Sequence, residues 1–528
     1  MTYGYHCPLM YRLTTDFITE NNMINRTQKI IIFGGGTSGW LSAAYLANNL
    51  QVPCDITLIE DTSLGPIGVG EGTQPLTAQF LYQCGLTPEQ WMKPSNAAFK
   101  LGVELTGWND EPYFVDNDGI QSSFMAEDFY ASDYFIKHPY SEFAKFHPAY
   151  QLAKANLSPK MFDHLDTSFG ANTEGYGAVH FSAYEILDAL KSLIGDKITH
   201  IDTSIAKVEK DLHGITRLID DKGQAYSADL YIDCSGFNSI LLEKTLGSPF
   251  TSYDKWLPND RAVVMPTQFK DPKTDCFPYT KATTMTSGWR FTIPIYTRTG
   301  NGYVYSSKFI SDEDAEKELR EAIGEFDAPA KFLKMKCGYH KEIAVKNVVA
   351  VGLSAGFVEP LEATGITFTT AVIKSVADLL NLNRNIWNQQ TKDLINRGFY
   401  EMSMEILAFV WAHYHFSKRS DTPFWESIRK QDIKELPADV QFILSHFYPR
   451  PGRFLYFSKS SMFNIVQWFS VLHAGGAYDN LEIIDRPHDN EYAEYFIAVQ
   501  NYRVEQAKKR FPNHYEYLDQ WYKNNIKE

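Results

Sequence analysis

The spacing of apolar and polar positions near the start of the chain predicts a strand, a helix and a second strand. Residues 29–33 (KIIIF) form an apolar run that ends in glycines. Residues 37–50 (TSGWLSAAYLANNL) carry apolar side chains at helical spacing, and residues 55–60 (DITLIE) alternate as a strand does. This order is a βαβ unit, which predicts a parallel sheet covered by helices.

The middle of the chain alternates with the period of β-structure. Between residues 197 and 233 the alternation is interrupted by DDKG at 220–223, which predicts a hairpin. The stretch 260–308 is rich in Val, Thr, Tyr and Ile and contains TGNG at 299–302, where we expect a second turn. These patterns predict an antiparallel sheet inserted after the βαβ unit.

The pattern becomes helical toward the C-terminus. Residues 347–352 (NVVAVG) predict a buried strand, and a helix is expected from about 365 to 383. Beyond residue 384 the spacing is mostly helical, with aromatic-rich loops. The second part of the chain therefore predicts a separate helical body.

Charge and composition narrow the range of partners. Fifty basic and sixty-four acidic side chains give a formal net charge of −14, which repels phosphate backbones and anionic membranes, so we expect neither nucleic acid nor membrane as a partner. No apolar run reaches the length of a membrane span, and no secretory signal pattern begins the chain. The six cysteines form no CxxC pair, so we expect reduced thiols in the cytoplasm, and the HYH sequence at 413–415 is not spaced as a metal site on a helix.

The first strand leads into a dinucleotide-binding sequence. Gly34, Gly36 and Gly39 form G-x-G-x-x-G before the first helix, and Glu60 closes the second strand. The glycines allow a tight turn, the approach of a pyrophosphate and close helix packing, and the acid would bind ribose hydroxyls. This sequence does not distinguish FAD from NAD.

A second segment favours a flavin. The DCSG sequence that begins at Asp233 resembles a flavin contact of FAD-dependent oxygenases, although a plain strand-ending turn is equally compatible with four residues. No second G-x-G-x-x-G is present for a tightly held nicotinamide cofactor.

Beyond these sites, the chain resembles the flavin-dependent tryptophan halogenase family over most of its length. Seven segments match that family's motifs in the same order: GGGTSGW at 34–40, GVGEGTQP at 68–75, NAAFK at 96–100, GWRFTIP at 288–294, GYVYSS at 302–307, FVEPLEATGI at 357–366 and SDTPFW at 420–425. The resemblance implies an enzyme that uses FAD as FADH2, O2 and chloride or bromide to form hypohalous acid and to halogenate an electron-rich aromatic. It also implies a separate NAD(P)H-dependent flavin reductase, and it leaves a homodimer open.

The predicted fold is α/β: a Rossmann-like FAD-binding domain with an inserted antiparallel sheet and a helical C-terminal body. We expect an N-terminal extension at 1–22, an FAD-binding and catalytic domain at 23–383, and a helical region at 384–528 that caps the substrate site.

The resemblance assigns catalytic roles to two residues. Lys100 would hydrogen-bond the hypohalous acid or form a haloamine with it, which requires a dry setting that lowers its pKa. Glu362 would orient the oxidant and accept the proton that the ring loses, although an acid at a helix start is the alternative. Thr364 and Gly365 would bind the halide through backbone N–H groups. Further cofactor contacts are implied at five positions: Thr37, Ser38, Gly70, Gly352 and Ile366.

The loop GWRFTIP would separate flavin from substrate, as the family's W-x-W-x-I-P does. Its partition residues here are Trp289, Phe291, Ile293 and Pro294. Phe291 replaces the family's second tryptophan, and Ala363 replaces the serine that follows the catalytic glutamate. The alternative is a strand of an ordinary sheet.

The substrate pocket departs most from the family. Tyr456 and Phe457 stand where tryptophan-specific members carry a Tyr-Tyr pair, but residues 458–468 hold no acid to bind an ammonium group. Phe463 and Trp468 are further candidates for the pocket. We therefore expect indole, a phenol, a pyrrole or a larger aromatic rather than free tryptophan.

Two other functions remain open from the sequence. One is an FAD-dependent monooxygenase that hydroxylates aromatics, which shares the dinucleotide fold. The other is a flavin-binding protein that has lost catalysis, which the changes at Phe291 and Ala363 suggest. Lys100, Glu362 and Trp289 favour the halogenase.

Overall fold

The structure is a computed structural model, and it describes residues 27–64, 70–117, 132–145, 147–159, 177–449, 461–482 and 487–525. The strands in chain order are β1 (Gln28–Phe33), β2 (Cys54–Glu60), β3 (Gly70–Gly72), β4 (Ala98–Phe99), β5 (Gly102–Thr106), β6 (Tyr113–Asp116), β7 (Val179–Ser182), β8 (Thr199–Asp202), β9 (Ile205–Lys210), β10 (Ile215–Asp220), β11 (Ala225–Tyr226), β12 (Leu230–Asp233), β13 (Phe250–Ser252), β14 (Arg261–Thr267), β15 (Thr280–Met285), β16 (Gly288–Ile295), β17 (Arg298–Tyr305), β18 (Lys331–Lys334), β19 (Gly338–His340), β20 (Ala344–Val345), β21 (Val348–Ala350) and β22 (Gly356–Phe357).

The α-helices in chain order are α1 (Thr37–Asn49), α2 (Leu76–Gln83), α3 (Pro88–Met92), α4 (Ser132–Ile136), α5 (Tyr140–Lys145), α6 (Pro148–Lys154), α7 (Leu187–Ile194), α8 (Pro272–Asp275), α9 (Asp312–Ile323), α10 (Gly365–Leu382), α11 (Gln389–His415), α12 (Pro423–Arg429), α13 (Ala438–Ser445), α14 (Ile465–Ala474), α15 (Pro487–Arg510) and α16 (His514–Asn524).

The βαβ unit predicted from the sequence lies at the centre of a six-stranded sheet. The strand order is β20-β21-β12-β1-β2-β8, and β1 pairs in parallel with both β2 and β12. The β20–β21 pair is antiparallel. Helix α1 leaves the end of β1 and packs against α7 and α10. The predicted parallel sheet covered by helices is therefore confirmed. It places the glycines that follow β1 at the N-terminus of α1.

A second, seven-stranded sheet provides the predicted insertion. Its order is β18-β14-β17-β16-β15-β5-β6, and its neighbours are antiparallel except for the parallel pair β15–β5. The segment GWRFTIP forms β16, paired on one side with β15 and on the other with β17. The prediction of a loop was therefore wrong, because two neighbouring strands satisfy its backbone N–H and C=O groups.

The turn predicted at TGNG was also wrong. Residues 299–302 lie inside β17, and the chain reverses at 296–297 instead. The reason is packing: a Cβ on Gly302 would lie 2.1 Å from the Phe291 ring, which faces it across the ladder. Gly302 therefore leaves space for the Phe291 ring and does not mark a turn. The hairpin at 220–223 is confirmed, with β10 and β11 on either side.

The described residues beyond 384 are mostly helical, as the sequence predicts. Helix α11 packs against α10, α13 and α14. The last helix returns to the first part of the chain, where His514 Nε2 accepts a hydrogen bond of 3.2 Å from the Phe99 N–H and the Tyr522 hydroxyl donates to the Ala97 carbonyl at 2.8 Å. The C-terminal residues thus support β4, which leads directly to Lys100, and the domain limits remain a prediction.

Candidate active site

The three glycines of the G-x-G-x-x-G sequence, two in the turn after β1 and one in the first turn of α1, have different surroundings. Gly34 has a φ of 115°, and a Cβ there would lie 2.4 Å from the Cys234 carbonyl oxygen. A Cβ on Gly39 would lie 1.9 Å from the Gly34 carbonyl oxygen, whereas a Cβ on Gly36 would meet nothing within 4 Å. Gly36 also caps α1. Open space beside a helix N-terminus fits a pyrophosphate, and we call residues 34–39 with Glu60 the cofactor cradle.

The start of α1 contacts α10 beside the cofactor cradle. Thr37 and Ser38 are the first residues of α1, and Ser38 Oγ lies 2.8 Å from Thr369 Oγ1 on α10. Gly352 has a φ of 72°, and a Cβ there would lie 2.1 Å from Ser38 Oγ. Ile366 is the second residue of α10 and is buried. Ser38, Gly352 and Thr369 therefore lie together where α1 begins.

The two acids predicted to contact the cofactor have different surroundings. The Glu60 carboxylate lies over Gly35, where a Cβ would be 1.7 Å from Oε2, and its Oε1 is 2.9 Å from His200 Nε2. The buried Asp233 carboxylate accepts hydrogen bonds from three backbone N–H groups and one hydroxyl, those of Ser235, Leu241 and Leu242. Asp233 therefore organises its own loop with its carboxylate, and its predicted contact with the cofactor depends on its backbone.

Lys100 is buried at the end of β4. Its ammonium donates a hydrogen bond of 3.1 Å to the Thr73 carbonyl, just beyond β3, the strand that Gly70 begins. A Cβ on Gly72 would lie 3.5 Å from Lys100 Nζ, 3.5 Å from Thr280 Oγ1 and 3.6 Å from the Ala363 Cβ. We call the enclosed region between Gly72, Lys100, Thr280 and residues 362–363 the reaction chamber.

The enclosure changes the acidity of the lysine. Burial lowers the pKa of Lys100 from 10.5 to about 8, and the nearby Glu362 carboxylate offsets part of that shift. This is the dry setting that the predicted role of Lys100 requires.

A buried histidine connects the chamber with β16. His180 Nδ1 lies 2.9 Å from the Pro294 carbonyl oxygen, and His180 Nε2 lies 2.8 Å from Thr280 Oγ1. Burial, reinforced by Lys100, holds the pKa of His180 well below its usual value, so the ring is neutral. A carbonyl only accepts, so Nδ1 carries the proton and Nε2 accepts from the Thr280 hydroxyl.

Glu362 is completely buried on the other side of the chamber. Its backbone carbonyl accepts a hydrogen bond of 2.6 Å from Gln74 Nε2. Its Oε1 lies 3.0 Å from His413 Nε2 without the alignment of a hydrogen bond, so neither carboxylate oxygen has a donor within the described part of the chain. His413 Nδ1 in turn lies 2.8 Å from the Tyr113 hydroxyl, and burial raises the pKa of Tyr113 well above its usual value. Gln74 therefore holds the Glu362 backbone, whereas the carboxylate oxygens remain without a donor among the described residues.

The predicted halide contacts lie at the start of α10. Ala363 has a φ of 55°, Thr364 caps the helix and Gly365 is its first residue. Thr364 Oγ1 is buried and has no partner among the residues that the structure covers. The first turn of α10 carries no acid. Free N–H groups and a free hydroxyl at a helix start can bind an anion.

The four predicted partition residues all lie on β16: Trp289, Phe291, Ile293 and Pro294. The first three are buried and share one face of the strand, because side chains two residues apart point the same way. Trp289 Nε1 donates a hydrogen bond of 2.9 Å to Glu359 Oε1, and the Pro294 carbonyl meets His180. The wall strand, as we call β16, is therefore fixed at both ends by buried polar side chains.

Two of the four predicted pocket residues belong to an aromatic cluster beside Glu362. The Phe409 ring on α11 stacks on Phe463 with centroids 3.9 Å apart and contacts Trp468 and His413 edge-on at 4.8 Å and 5.0 Å. Trp468 Nε1 is buried and has no partner within the described ranges. Tyr456 and Phe457 lie outside the described residues.

Sequence reasoning missed the residues that hold the catalytic candidates. His413 was considered only as a metal ligand, and nothing in the spacing of Tyr113 or Gln74 links them to Glu362. Glu359 carried a signal, because it stands in the same motif as Glu362. In the part of the chain that the structure describes, no three His, Cys, Asp or Glu side chains group as metal ligands, and no helix is long and apolar enough to cross a membrane.

Comparisons with known proteins identify the family of this chain. The family model described as tryptophan halogenase matches residues 29–483. The chain is 30% identical over 535 residues to the 7-chloro-L-tryptophan 6-halogenase KtzR of Kutzneria sp. (strain 744), covering 93% of this chain and 98% of that protein. It is 32% identical over 430 residues to the tryptophan 7-halogenase RebH of Lentzea aerocolonigenes, covering 77% and 79%. The crystal structure of the tryptophan halogenase from Shewanella frigidimarina NCIMB 400 matches with a TM-score of 0.83 and 26% identity, covering 95% of this chain and 99% of that one. The chain belongs to the tryptophan halogenase family of flavin-dependent enzymes.

Proposed function

We propose that this halogenase binds FAD in its cofactor cradle and uses FADH2, O2 and chloride or bromide to halogenate an indole-like aromatic. The open space at Gly36 and the start of α1 would receive the pyrophosphate, and Glu60 would meet the ribose. Bound FADH2 would supply, with oxygen and the halide, the hypohalous acid that reacts with the ring.

The observation that carries the proposal is the pairing of a buried lysine with a buried, donor-free carboxylate in one chamber. With a pKa of about 8, Lys100 is mostly protonated at pH 7. One of its N–H groups is held by Thr73, and the others can donate to the oxygen of hypohalous acid.

The reaction needs one proton donor and one proton acceptor. As the halogen–oxygen bond breaks and the carbon–halogen bond forms, Lys100 gives a proton to the leaving hydroxide, which departs as water. Glu362 takes the proton that the ring carbon loses, because its carboxylate oxygens have no other donor among the described residues. The halide would first be held by the N–H groups at Thr364 and Gly365.

The substrate proposal rests on the aromatic cluster of Phe409, Phe463 and Trp468. These rings can stack on a flat aromatic ring, and the free Trp468 N–H can bind a polar group on it. KtzR and RebH act on tryptophans according to their names, so free tryptophan is the second candidate. The absence of an acid from residues 458–468 of the sequence favours a substrate without an ammonium group.

The partners belong to the same proposal. A separate NAD(P)H-dependent reductase would supply FADH2, because the sequence has no second nicotinamide-type glycine motif. Five of the six cysteines lie in the described residues and are free thiols, which supports the proposal that the protein acts in the cytoplasm. A homodimer would be tested by light scattering of the purified protein.

The test is product mass after incubation with FAD, a flavin reductase, NADH, oxygen, bromide and a panel of indoles, phenols and tryptophan. Catalase is added to remove stray peroxide. A bromine isotope doublet is expected from the wild type and from the control Lys93→Ala, whose lysine is exposed, but not from Lys100→Ala. A gain of one oxygen that does not depend on bromide would make the protein a hydroxylase instead.

A further inference from the structure

A second buried carboxylate lies three residues before Glu362, and the mechanism above does not use it. Glu359 Oε1 accepts hydrogen bonds from Trp289 Nε1 at 2.9 Å and from the Tyr414 hydroxyl, and Oε2 accepts from Asn259 Nδ2 at 3.0 Å. All four side chains are at most 1% exposed. A carboxylate that receives three neutral donors and no cation is expensive to bury, so its retention calls for a role.

The contacts join three separate elements. Trp289 lies on the wall strand, Tyr414 follows His413 on α11, and Asn259 precedes β14. Glu359 itself begins the short turn that ends at Glu362, and the Leu361 N–H donates to its carbonyl at 2.9 Å. One rigid turn therefore holds both the Trp289 indole and the proposed proton acceptor.

We propose that Glu359 is a positioning residue that fixes the Trp289 indole in the wall strand, so that hypohalous acid passes to the substrate instead of escaping. This inference rests on the proposed function, because the wall has work to do only if a diffusible oxidant forms. Trp289 and Phe291 share a face of the strand, and the opposite end of that strand is fixed by His180 at Pro294. Loss of the Glu359 contact would free the Trp289 end alone.

The hydrogen bond between Glu359 and the Trp289 indole, which we call the anchor, depends on pH. Burial raises the pKa of Glu359 to about 7, and its three hydrogen bonds limit the rise. The titratable groups that face it are Tyr414 and Cys337, and burial raises the pKa of both well above their usual values, so both stay neutral. The charge of Asp260 also raises the pKa of the Cys337 thiol. Above pH 7 the ionised carboxylate accepts from Trp289, and below it the protonated form is a weaker acceptor.

The first experiment observes the indole directly and needs no turnover. The 15N–1H resonance of the Trp289 indole is assigned by its loss in Trp289→Phe. In the wild type we expect it to titrate with a midpoint near 7, and in Glu359→Gln we expect it to move upfield and to lose that titration. Tyr414→Phe is the matched control, because it disturbs the same cluster and leaves the Trp289 bond in place, so its resonance should still titrate. An unchanged Trp289 resonance in Glu359→Gln would overturn the proposal.

The second experiment measures coupling in the flavin-loaded enzyme. Brominated product per O2 consumed is compared with hypobromous acid caught by a β-diketone trap in bulk solution. Glu359→Gln and Trp289→Phe should each lower the first ratio severalfold and raise the trapped fraction, and the double variant should be no worse than the poorer single one. Multiplied effects in the double variant, or wild-type coupling in Glu359→Gln, would contradict an action through Trp289.

The two experiments separate the failure of the inference from that of the proposed function. A wild type that makes no halogenated product, with a Trp289 resonance that titrates through Glu359, would retain the anchor and reject the function. Brominated product together with an indole insensitive to Glu359 would retain the function and reject the anchor. If Glu359→Gln does not fold, the proposal is still tested by the pH titration of the wild-type Trp289 resonance and by the brominated product per O2 that Trp289→Phe forms.

Discussion

The cofactor cradle and the reaction chamber are neighbours, but they are built in different ways. The cradle comes from one βαβ unit, and its shape depends on backbones that approach each other where glycine has no Cβ. The chamber brings together Lys100, Thr280 and Glu362 from three segments that are far apart in the chain, and each contributes side-chain atoms. The contact between Ser38 and Thr369 brings the two regions together.

This difference separates two tasks. Backbone N–H groups and a helix end can hold a phosphate in any dinucleotide enzyme, so the cradle alone does not specify a reaction. In the proposed function, titrating side chains in a dry enclosure decide what happens to the oxidant, so we expect the chamber to specify halogenation. Changes to the cradle should therefore affect binding and folding, and changes to the chamber should affect chemistry alone.

The largest effect is expected from Gly39→Ala in the cradle. The added Cβ would lie 1.9 Å from the Gly34 carbonyl oxygen, a backbone atom that cannot move cheaply, so we expect a lower Tm and loss of flavin binding. Gly36→Ala meets open space, so it should leave the Tm unchanged and weaken FAD binding by about 1.5–3 kcal/mol through lost N–H contacts to a charged group. Both variants are measured by thermal unfolding and by fluorescence titration with FAD. An equal fall in Tm for Gly36→Ala and Gly39→Ala would contradict the difference between the two positions.

The next effect lies in the chamber. Glu362→Gln keeps the shape but removes the proton acceptor, so kcat for bromination should fall by about 10²–10⁴-fold while FAD affinity stays the same. Glu426→Gln, an exposed acid on α12, is the control and should retain wild-type kcat. A Glu362→Gln enzyme with near-normal kcat would exclude this carboxylate as the acceptor.

The pH profile tests Lys100. Burial lowers its pKa from 10.5 to about 8, so the ammonium form is present below pH 8 and is lost as the pH rises through that value. Because the proposed role uses the protonated form, kcat should decline by about tenfold per pH unit above 8. A rate that rises above pH 8 would instead favour a neutral amine that captures the halogen.

The smallest effect is expected at Tyr113. His413 lies between Glu362 and Tyr113: its Nε2 is 3.0 Å from Glu362 Oε1, and its Nδ1 forms a hydrogen bond of 2.8 Å with the Tyr113 hydroxyl. Tyr113→Phe removes that hydrogen bond, worth about 1 kcal/mol, so kcat should fall about fivefold. His413→Gln, which keeps a polar side chain beside Glu362, should keep more activity than His413→Leu, and the reverse order would refute this support for Glu362.

The cradle could be predicted from the sequence because its requirement is local. The glycine spacing and the strand before it specify the geometry, and the structure has the expected βαβ unit. Lys100 and Glu362 were identified through their resemblance to the family's motifs. No local sequence pattern predicts the burial that lowers the pKa of Lys100.

The support around the chamber could not be predicted. His413 contacts Glu362 only because α11 passes behind the turn, and Tyr113 joins them from a strand early in the chain. Two local predictions failed where packing overruled sequence preference: the wall strand is not a loop, and Gly302 accommodates Phe291 instead of forming a turn. Tertiary contacts decided each of these points.

The most direct test of the separation between binding and chemistry compares wild type, Lys100→Met and the exposed control Lys93→Met in two assays on the same preparations. One assay measures FAD affinity by fluorescence, and the other measures brominated product by mass. We expect all three proteins to bind FAD within about twofold of one another, because the lysine lies outside the cradle, and we expect product from the wild type and the control alone. Brominated product from Lys100→Met at the wild-type rate, or a parallel loss of FAD binding and product, would contradict this account.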